Sequence, residues 1–196
     1  MNVSLAPDVR MNVEEFLAWS ARQPVEDRYE LVDGEVVLMS PERYRHSLVK
    51  TDAVVALHAA VKAAGVPCRV LADGPGVVIN DRTTRIPDAS VQYRGRAQQS
   101  PESTVLAAPL IVLEVVSPST EQVDLLDKLI EYNSVRSIQH YLIVQPQKRA
   151  VVHHKRNDQG DWSTSVRQDG DIVLDPPGIK VAVADLIGPD DSETDW

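Results

Sequence analysis

The sequence predicts one α/β or α+β domain in which a mixed β-sheet is flanked by helices. The chain has 196 residues, 43% of them hydrophobic and 25% charged, which is typical of a globular domain with a substantial core. Segments with helical spacing of apolar residues alternate with segments of strand character. An apolar run at 110–116 has the character of a central strand. We expect an N-terminal extension at 1–11, the domain at 12–187 and an acidic tail at 188–196.

The first half of the chain is expected to contain two helices and a hairpin. Residues 12–22 carry apolar side chains at helical spacing behind Asn12, a suitable N-cap. The stretch YELVDGEVVLMS predicts two strands that turn at Asp33–Gly34, because this dipeptide tolerates the positive φ angles of a tight hairpin. Residues 46–64 predict the longest helix, which ends at Gly65. Further strands are expected at 68–72, 76–80 and 88–93, with the polar stretch NDRTTR as a loop between the last two.

The second half is expected to contain the central strand, a third helix and a β-meander. The stretch SPSTEQVDLLDKLIEYNSV opens with a Ser119-x-x-Gln122 capping pattern, and its apolar helical face predicts burial of Val123, Leu126, Leu129 and Ile130. HYLIVQP, RAVVHHKR and DWSTSVRQ predict three successive strands, with His153 and His154 on a polar one. The final stretch, DLIGPDDSETDW, is expected to be a solvated tail.

Charge and cysteine content exclude several classes of protein. A net charge of −9 argues against a protein that coats nucleic acid electrostatically, since phosphate binding needs clustered Lys and Arg. The single Cys68 excludes an intramolecular disulfide and a multi-cysteine zinc site, which fits a reducing cytosol. The N-terminal residues lack a signal-peptide pattern, and no apolar stretch is long enough to span a bilayer. We expect a cytoplasmic protein without a membrane partner.

Two carboxylates point to a metal site. Glu114 lies within the apolar run LIVLEVV, where a lone ionised carboxylate costs several kcal/mol unless it is paired or bound to metal. Strand alternation puts Val112 and Val116 on its face of the sheet and Leu113 and Val115 on the other. Asp88 follows Pro87 at the start of a predicted strand, a rigid position at the edge of a cleft. Together Asp88 and Glu114 predict a hard-oxygen site for Mg²⁺ or Mn²⁺, although a strand-end Glu paired with an Arg is the alternative.

The order of several motifs resembles a known family. Five motifs follow one another as in the Uma-type family of restriction endonucleases, a branch of the PD-(D/E)XK nuclease superfamily. They are YELVDGEVVLMSP, IPDASV, APLIVLEVVSPST, DLLDKLIEYNSV and HYLIVQP. The resemblance covers most of the chain, from Glu15 to Asp185. It implies a restriction-endonuclease-like fold and metal-dependent hydrolysis of DNA. It also implies that Asp88, Glu114 and the backbone carbonyl of Val115 hold Mg²⁺ or Mn²⁺.

The chain departs from the superfamily pattern at the lysine. The pattern has a Lys two residues after the acidic residue, and position 116 is Val in this chain. Similar families supply the lysine from the following helix, and Lys128 is the candidate, with Asp124 four residues earlier and Glu131 three residues later on a polar stripe. Its predicted role is to orient the attacking water or to stabilise negative charge. The alternative is an ordinary surface pair of Asp124 and Lys128.

The resemblance marks further residues with weaker support. Glu30 resembles the N-terminal acidic residue of such sites and would position a water or a second metal, but from its strand pattern alone it is expected to be solvated. His46 lies near a histidine common in the family, although an exposed histidine at a helix start is an equally good interpretation. Arg82, Arg85 and Arg94 are candidate contacts to the DNA backbone, with ordinary solvated loop charges as the alternative.

A second class of function stays open at this point. A nuclease-like fold without turnover, acting as a DNA-associated or protein-binding module, would agree with the missing strand lysine and the acidic net charge. The retained Asp88, Glu114 and Lys128 favour the enzyme, because such a module has no reason to keep a costly carboxylate in an apolar strand. Nucleases that cut both strands often act as symmetric dimers, so a homodimer that pairs through the meander strands is a candidate assembly.

Overall fold

A computed structural model describes residues 9–24, 26–95, 100–116 and 124–189 of the chain. The expected mixed α+β architecture is observed in these residues, which form four helices and twelve strands. In chain order these are α1 (Val13–Ser20), β1 (Tyr29–Val32), β2 (Glu35–Leu38), α2 (Tyr44–Ala64), β3 (Cys68–Ala72), β4 (Val77–Asn80), β5 (Thr83–Arg85), β6 (Ala89–Tyr93), β7 (Pro109–Val115), α3 (Asp124–Ser134), β8 (His140–Gln145), β9 (Ala150–Arg156), β10 (Trp162–Arg167), β11 (Asp171–Leu174), β12 (Ile179–Ala182) and α4 (Val183–Ile187). A single 3₁₀ turn, Pro146–Lys148, joins β8 to β9.

The strands form three sheets instead of the one that the sequence predicts. The largest has six strands in the order β10-β9-β8-β7-β6-β3 and is mixed, because β7 and β8 run parallel. A four-stranded antiparallel sheet has the order β2-β1-β5-β4, and β11 pairs with β12. The chain passes from the four-stranded to the six-stranded sheet at residues 86–88, between β5 and β6. Asp88 therefore lies where the two sheets meet.

Helices cover the two faces of the six-stranded sheet. On one face α2 and α4 pack against Leu113 and Val115 of β7. On the other, Tyr132 of α3 packs against Val112 and Val116, which lie on the Glu114 face as the strand alternation predicts. Every residue of β7 is buried, as expected for a strand covered on both faces.

Local signals account for most element boundaries. Asn12 forms a capping box with Glu15, so α1 begins where it is expected. Asp33 and Gly34 both have positive φ at the hairpin turn between β1 and β2. Gly65 ends α2 in the left-handed conformation, and α2 begins two residues before the predicted start at His46. The meander of β8, β9 and β10 follows the predicted spans closely.

Several elements differ from the expectation. NDRTTR is not simply a loop, because Thr83–Arg85 forms the buried strand β5. The strands β11 and β12 were missed, and α4 buries Leu186 and Ile187 within the stretch expected to be a tail. His153 and His154 are buried, since β9 is covered on both faces. Some predicted features lie outside the described residues. These are the Ser119-x-x-Gln122 cap, Val123, and most of the N-terminal extension and of the acidic tail.

The packed face of α3 differs from the predicted one, although Leu129 of the predicted apolar face is partly buried against the core as expected. Leu126 is 64% exposed and Ile130 is 71% exposed, whereas Tyr132 is fully buried. The predicted polar stripe points inward, because Lys128 and Glu131 meet charged partners beneath the helix. None of the helices in the described ranges is long and apolar enough to cross a membrane.

Candidate active site

Asp88 is held rigidly where β6 begins beside the end of β7. The residue is 7% exposed, and its Oδ2 accepts a 2.7 Å hydrogen bond from the backbone N–H of Val115. In an extended strand the N–H and C=O of one residue point to the same side, so the Val115 carbonyl is directed toward Asp88. His46 Nε2 lies 3.4 Å from the other oxygen, Oδ1.

Glu114 has two partners on α3. Tyr132 donates a 2.8 Å hydrogen bond from its hydroxyl to Oε1, and Lys128 Nζ lies 3.1 Å from Oε2. Glu114 is 6% exposed, and this burial raises the pKa of its carboxyl group to about 7. Lys128 opposes the shift, and the charge of Asp88 adds to it. Burial also raises the pKa of Tyr132 well above its usual value, so this hydroxyl stays a donor.

Lys128 thus reaches Glu114 from α3, the helix that follows β7. Val116, at the position where the superfamily pattern has its lysine, packs in the apolar core. The side chains of Lys128 and Glu114 are both largely buried. Because Lys128 and Tyr132 are four residues apart, they project from the same face of α3, and both reach the same carboxylate.

A second acidic side chain joins His46 and Asp88. Ligand atoms of Glu42, His46 and Asp88 all lie within 4.8 Å of one another, close enough to hold one metal ion. The hydrogen bond to Asp88 raises the pKa of His46. Burial by itself would raise the pKa of Glu42, but hydrogen bonds from Lys50 and Ser47 lower it below its usual value.

An ion-pair network fixes Glu42. Lys50, one turn after His46 on α2, is buried between Glu42 and Asp73, with its Nζ 2.6 Å from Asp73 Oδ2. Arg28 also bridges these two carboxylates, at 3.2 Å from Glu42 and 3.0 Å from Asp73. The Glu42 carboxylate is therefore a pre-positioned group at the rim of the site.

A buried arginine connects the four-stranded sheet to α3. Arg85 is 6% exposed, and its Nε and Nη2 donate to the two oxygens of Glu131 at 2.6 and 2.9 Å. Its Nη1 donates to Glu30 at 3.1 Å. This corrects the expectation that Arg85 is a loop arginine available to DNA. The two carboxylates raise the pKa of Arg85 against the opposing effect of burial.

Glu30 has a positioning contact in the structure. It is buried, which corrects the solvated interpretation, and its Oε1 accepts a 2.8 Å hydrogen bond from the backbone N–H of Ile86. Ile86 lies two residues before Asp88, so Glu30 holds the segment that carries the catalytic candidate. With Arg85 on Oε2, both oxygens are engaged by the protein.

The other two predicted DNA contacts lie away from these carboxylates. Arg94 directly follows β6 and Asp88 directly precedes it, a separation of about 20 Å along an extended strand. Arg82 is exposed in the turn between β4 and β5, near Gly34. Both remain predictions as contacts to DNA.

The donor set suits a hard divalent cation. Asp88, Glu114 and Glu42 offer carboxylate oxygens, Val115 offers a carbonyl and His46 an imidazole. Hydrogen bonds hold the three carboxylates and the imidazole in place. Sequence reasoning missed Glu42, Tyr132 and the pairing of Glu131. A signal existed for two of them, because Tyr132 and Glu131 follow Lys128 at the helical spacings of four and three residues.

Comparisons with known proteins agree with the predicted resemblance. A structure titled as a putative nuclease belonging to DUF820, from Anabaena variabilis ATCC 29413, superimposes with a TM-score of 0.70 over 90% of this chain and 97% of that chain, at 18% identity. It shows that the fold is shared. "Uncharacterized protein slr1290" from Synechocystis sp. is 29% identical over 182 residues, or 91% of this chain and 92% of the relative. The family model Uma2, described as "Putative restriction endonuclease", matches residues 13–185. The match spans most of the chain, and the chain therefore belongs to the Uma2 family.

Proposed function

We propose that the chain is a metal-dependent endonuclease that hydrolyses phosphodiester bonds of DNA. The observation that carries the proposal is the contact of Lys128 with Glu114, 3.1 Å apart in a largely buried setting. It supplies a lysine beside the acidic residue although Val116 occupies the usual position. The family description supports nuclease chemistry, and the geometry supports these residues as its site.

Mg²⁺ or Mn²⁺ is the cofactor that the donor set fits best. Asp88, Glu114 and the Val115 carbonyl would hold it, with His46 and Glu42 as further ligands on the α2 side. When bound, such an ion supplies a Lewis acid for the phosphate and lowers the pKa of a water molecule. Because Glu114 has a pKa of about 7, its ionised form is available at neutral pH.

The residues of the chain divide the remaining tasks. Water attacks phosphorus and gives up a proton, the bond from phosphorus to one sugar oxygen breaks, and the departing oxygen takes up a proton. Lys128 stabilises the negative charge that develops on the phosphate, a role for a compact ammonium in a partly desolvated site. Tyr132 holds the Glu114 carboxylate in place, and Glu30 holds the backbone before Asp88.

Location and assembly belong to the same proposal. A DNA substrate and the single cysteine favour the cytoplasm. A homodimer would let two sites cut opposite strands, and β10 offers an exposed edge strand for pairing.

The test is cleavage of supercoiled plasmid with Mg²⁺ or Mn²⁺ by the native protein and by matched variants. Asp88→Asn and Glu114→Gln should abolish nicking, and Lys128→Met should slow it about 10²- to 10³-fold, as expected for loss of a charge-stabilising group. Asp127→Asn, an exposed carboxylate on the same helix as Lys128, is the control and should cut at the native rate.

Calorimetric titration with Mn²⁺ separates the alternatives. Binding lost in Asp88→Asn together with lost nicking supports the proposal. If the native protein does not bind Mn²⁺ and does not cut any DNA, the non-catalytic module becomes the better interpretation. If cutting survives both carboxylate substitutions, the active site lies elsewhere.

A further inference from the structure

A cavity lies at the end of the six-stranded sheet opposite the candidate active site. Its volume is about 640 Å³, within the range of about 300–1,000 Å³ that is typical of small-molecule sites. Strand β6 begins directly after Asp88 and ends directly before Arg94, which lines the cavity. The cavity and the catalytic carboxylates therefore lie at opposite ends of this strand. Within the described part of the chain, none of the candidate catalytic residues lines the cavity.

Gln92 is a buried polar residue of this cavity without a protein partner. Its neighbours Val91 and Tyr93 pack in the core beneath α2, so strand alternation directs the Gln92 side chain to the other face of the sheet. The residue is 8% exposed, and its carboxamide forms no hydrogen bond to any residue that the structure describes. A buried amide normally has a partner. A ligand in the cavity would supply one.

Two arginines beside Gln92 make the cavity positive. Arg69 of β3 pairs directly with Gln92 across the antiparallel strands, which places the two Cβ atoms about 5 Å apart on one face. Arg94 follows two residues after Gln92, and its backbone N–H donates to the Pro67 carbonyl at 2.7 Å. Among the described residues, neither guanidinium has an ion pair and no Asp or Glu lines the cavity. In a chain with a net charge of −9, this composition favours an anionic ligand.

An apolar wall completes the cavity and is fixed without a ligand. Leu71 and Leu106 both line it. The backbone N–H of Leu106 donates to the Gly76 carbonyl, and the Gly76 N–H donates to the Thr104 carbonyl, each at 2.8 Å. Apolar side chains beside a few convergent polar groups are typical of a preformed small-molecule site, and they suit a ring.

We propose that this cavity binds a nucleoside monophosphate, separately from the catalytic carboxylates. The guanidinium groups of Arg69 and Arg94 hold the phosphate, because the planar fork of an arginine matches the phosphate oxygens. The Gln92 carboxamide pairs with the edge of the base, since its acceptor and donor match the N6 amino group and N7 of adenine. The base packs on Leu71 and Leu106. This inference does not depend on the proposed nuclease activity.

Calorimetric titration of the full chain with dAMP in metal-free buffer tests the proposal. The native protein should bind inorganic phosphate and deoxyadenosine at least about ten-fold more weakly than dAMP, because each lacks part of the contacts. Arg69→Ala and Arg94→Ala should each weaken dAMP binding about ten-fold, as expected for loss of a hydrogen bond to a charged group. Arg167→Ala is the matched control, because Arg167 is an exposed arginine on β10, at the other edge of the same sheet. Its affinity for dAMP should equal that of the native protein.

Gln92→Leu separates a ligand contact from a structural role. Leucine is similar in size and removes the unpartnered amide, so dAMP affinity should fall about ten-fold while the Tm of the ligand-free protein does not fall. A lower Tm with native dAMP affinity would mean that Gln92 serves the fold alone, and it would overturn the proposed base contact.

Other results would exclude a nucleotide in this cavity. These are absence of dAMP binding at about 1 mM, equal affinity for inorganic phosphate, and native affinity in both arginine variants. Asp88→Asn should bind dAMP as the native protein does, and lost binding in this variant would place the nucleotide at the catalytic carboxylates instead. Plasmid nicking reports on the nuclease function independently, so the failure of one proposal is distinguishable from the failure of the other.

Discussion

Replacing Arg85 by Met removes the central cation of a buried ion cluster and should cost about 3–5 kcal/mol in the free energy of unfolding. Three hydrogen bonds of 2.6, 2.9 and 3.1 Å are lost, and the carboxylates of Glu131 and Glu30 are left without their cation. Glu30 is buried, so its uncompensated charge accounts for most of the cost. Methionine keeps the bulk of the side chain, which limits any contribution from a cavity.

Urea unfolding at neutral pH measures this loss. Arg82→Met is the matched control, because Arg82 is an exposed arginine three residues earlier, and its free energy of unfolding should change by no more than about 0.5 kcal/mol. The double variant Arg85→Met with Glu131→Gln should lose less than the sum of the single changes, with a coupling energy of about 0.5–3 kcal/mol. Arg85→Lys should lie between native and Met, since an ammonium keeps the charge but not the two-point contact.

Two results would refute the reasoning. One is a loss below about 1 kcal/mol for Arg85→Met, the size measured for exposed ion pairs. The other is strict additivity in the double variant, which would mean that Arg85 and Glu131 do not stabilise each other.

Three further predictions concern ionisation and packing. Metal binds the ionised carboxylate, and the pKa of Glu114 is about 7, so Mn²⁺ affinity measured by calorimetry should rise between about pH 6 and pH 8. Tyr132→Phe should move that rise to higher pH, because the hydrogen bond from Tyr132 lowers the pKa of Glu114. A flat profile contradicts this. Burial lowers the pKa of His140 to about 3 and of His153 to about 4, so their contribution to stability is complete above about pH 6.5 and is lost as the pH falls toward these values; urea unfolding of His153→Gln should show a weaker acid dependence than the native protein. Ile130 is exposed, so Ile130→Ser should change the free energy of unfolding by no more than about 0.5 kcal/mol. A loss above about 2 kcal/mol would mean that Ile130 is buried, as the sequence predicted.

Those elements that follow from local chemistry were predictable. The hairpin turn at Asp33–Gly34 and the end of α2 at Gly65 depend on φ angles that few residues adopt. The two faces of β7 follow from the period of two along a strand, and both faces are buried as expected. These features depend on residues close in sequence, so the pattern contains the information they need.

The orientation of α3 was not predictable in this way. Its apolar residues Leu126 and Ile130 mark one face, and amphipathic reasoning buries that face. The surface beneath the helix, however, presents the Glu114 carboxylate and the Arg85 guanidinium, which Lys128 and Glu131 satisfy. Leaving a buried charge without a partner costs more free energy than leaving a leucine side chain exposed to water. The charged face of α3 therefore packs inward.

The sequence by itself determined the fold class, and it marked Asp88, Glu114 and Lys128 as candidate site residues, because each belongs to a local pattern or a motif of the family. Only the tertiary structure decided that Glu42 joins His46, that Glu30 holds Ile86, and that Tyr132 reaches Glu114. These contacts join residues far apart along the chain, and their geometry depends on how the sheets and α3 pack. The need to pair every buried charge then selects the partners, and that selection is made in three dimensions.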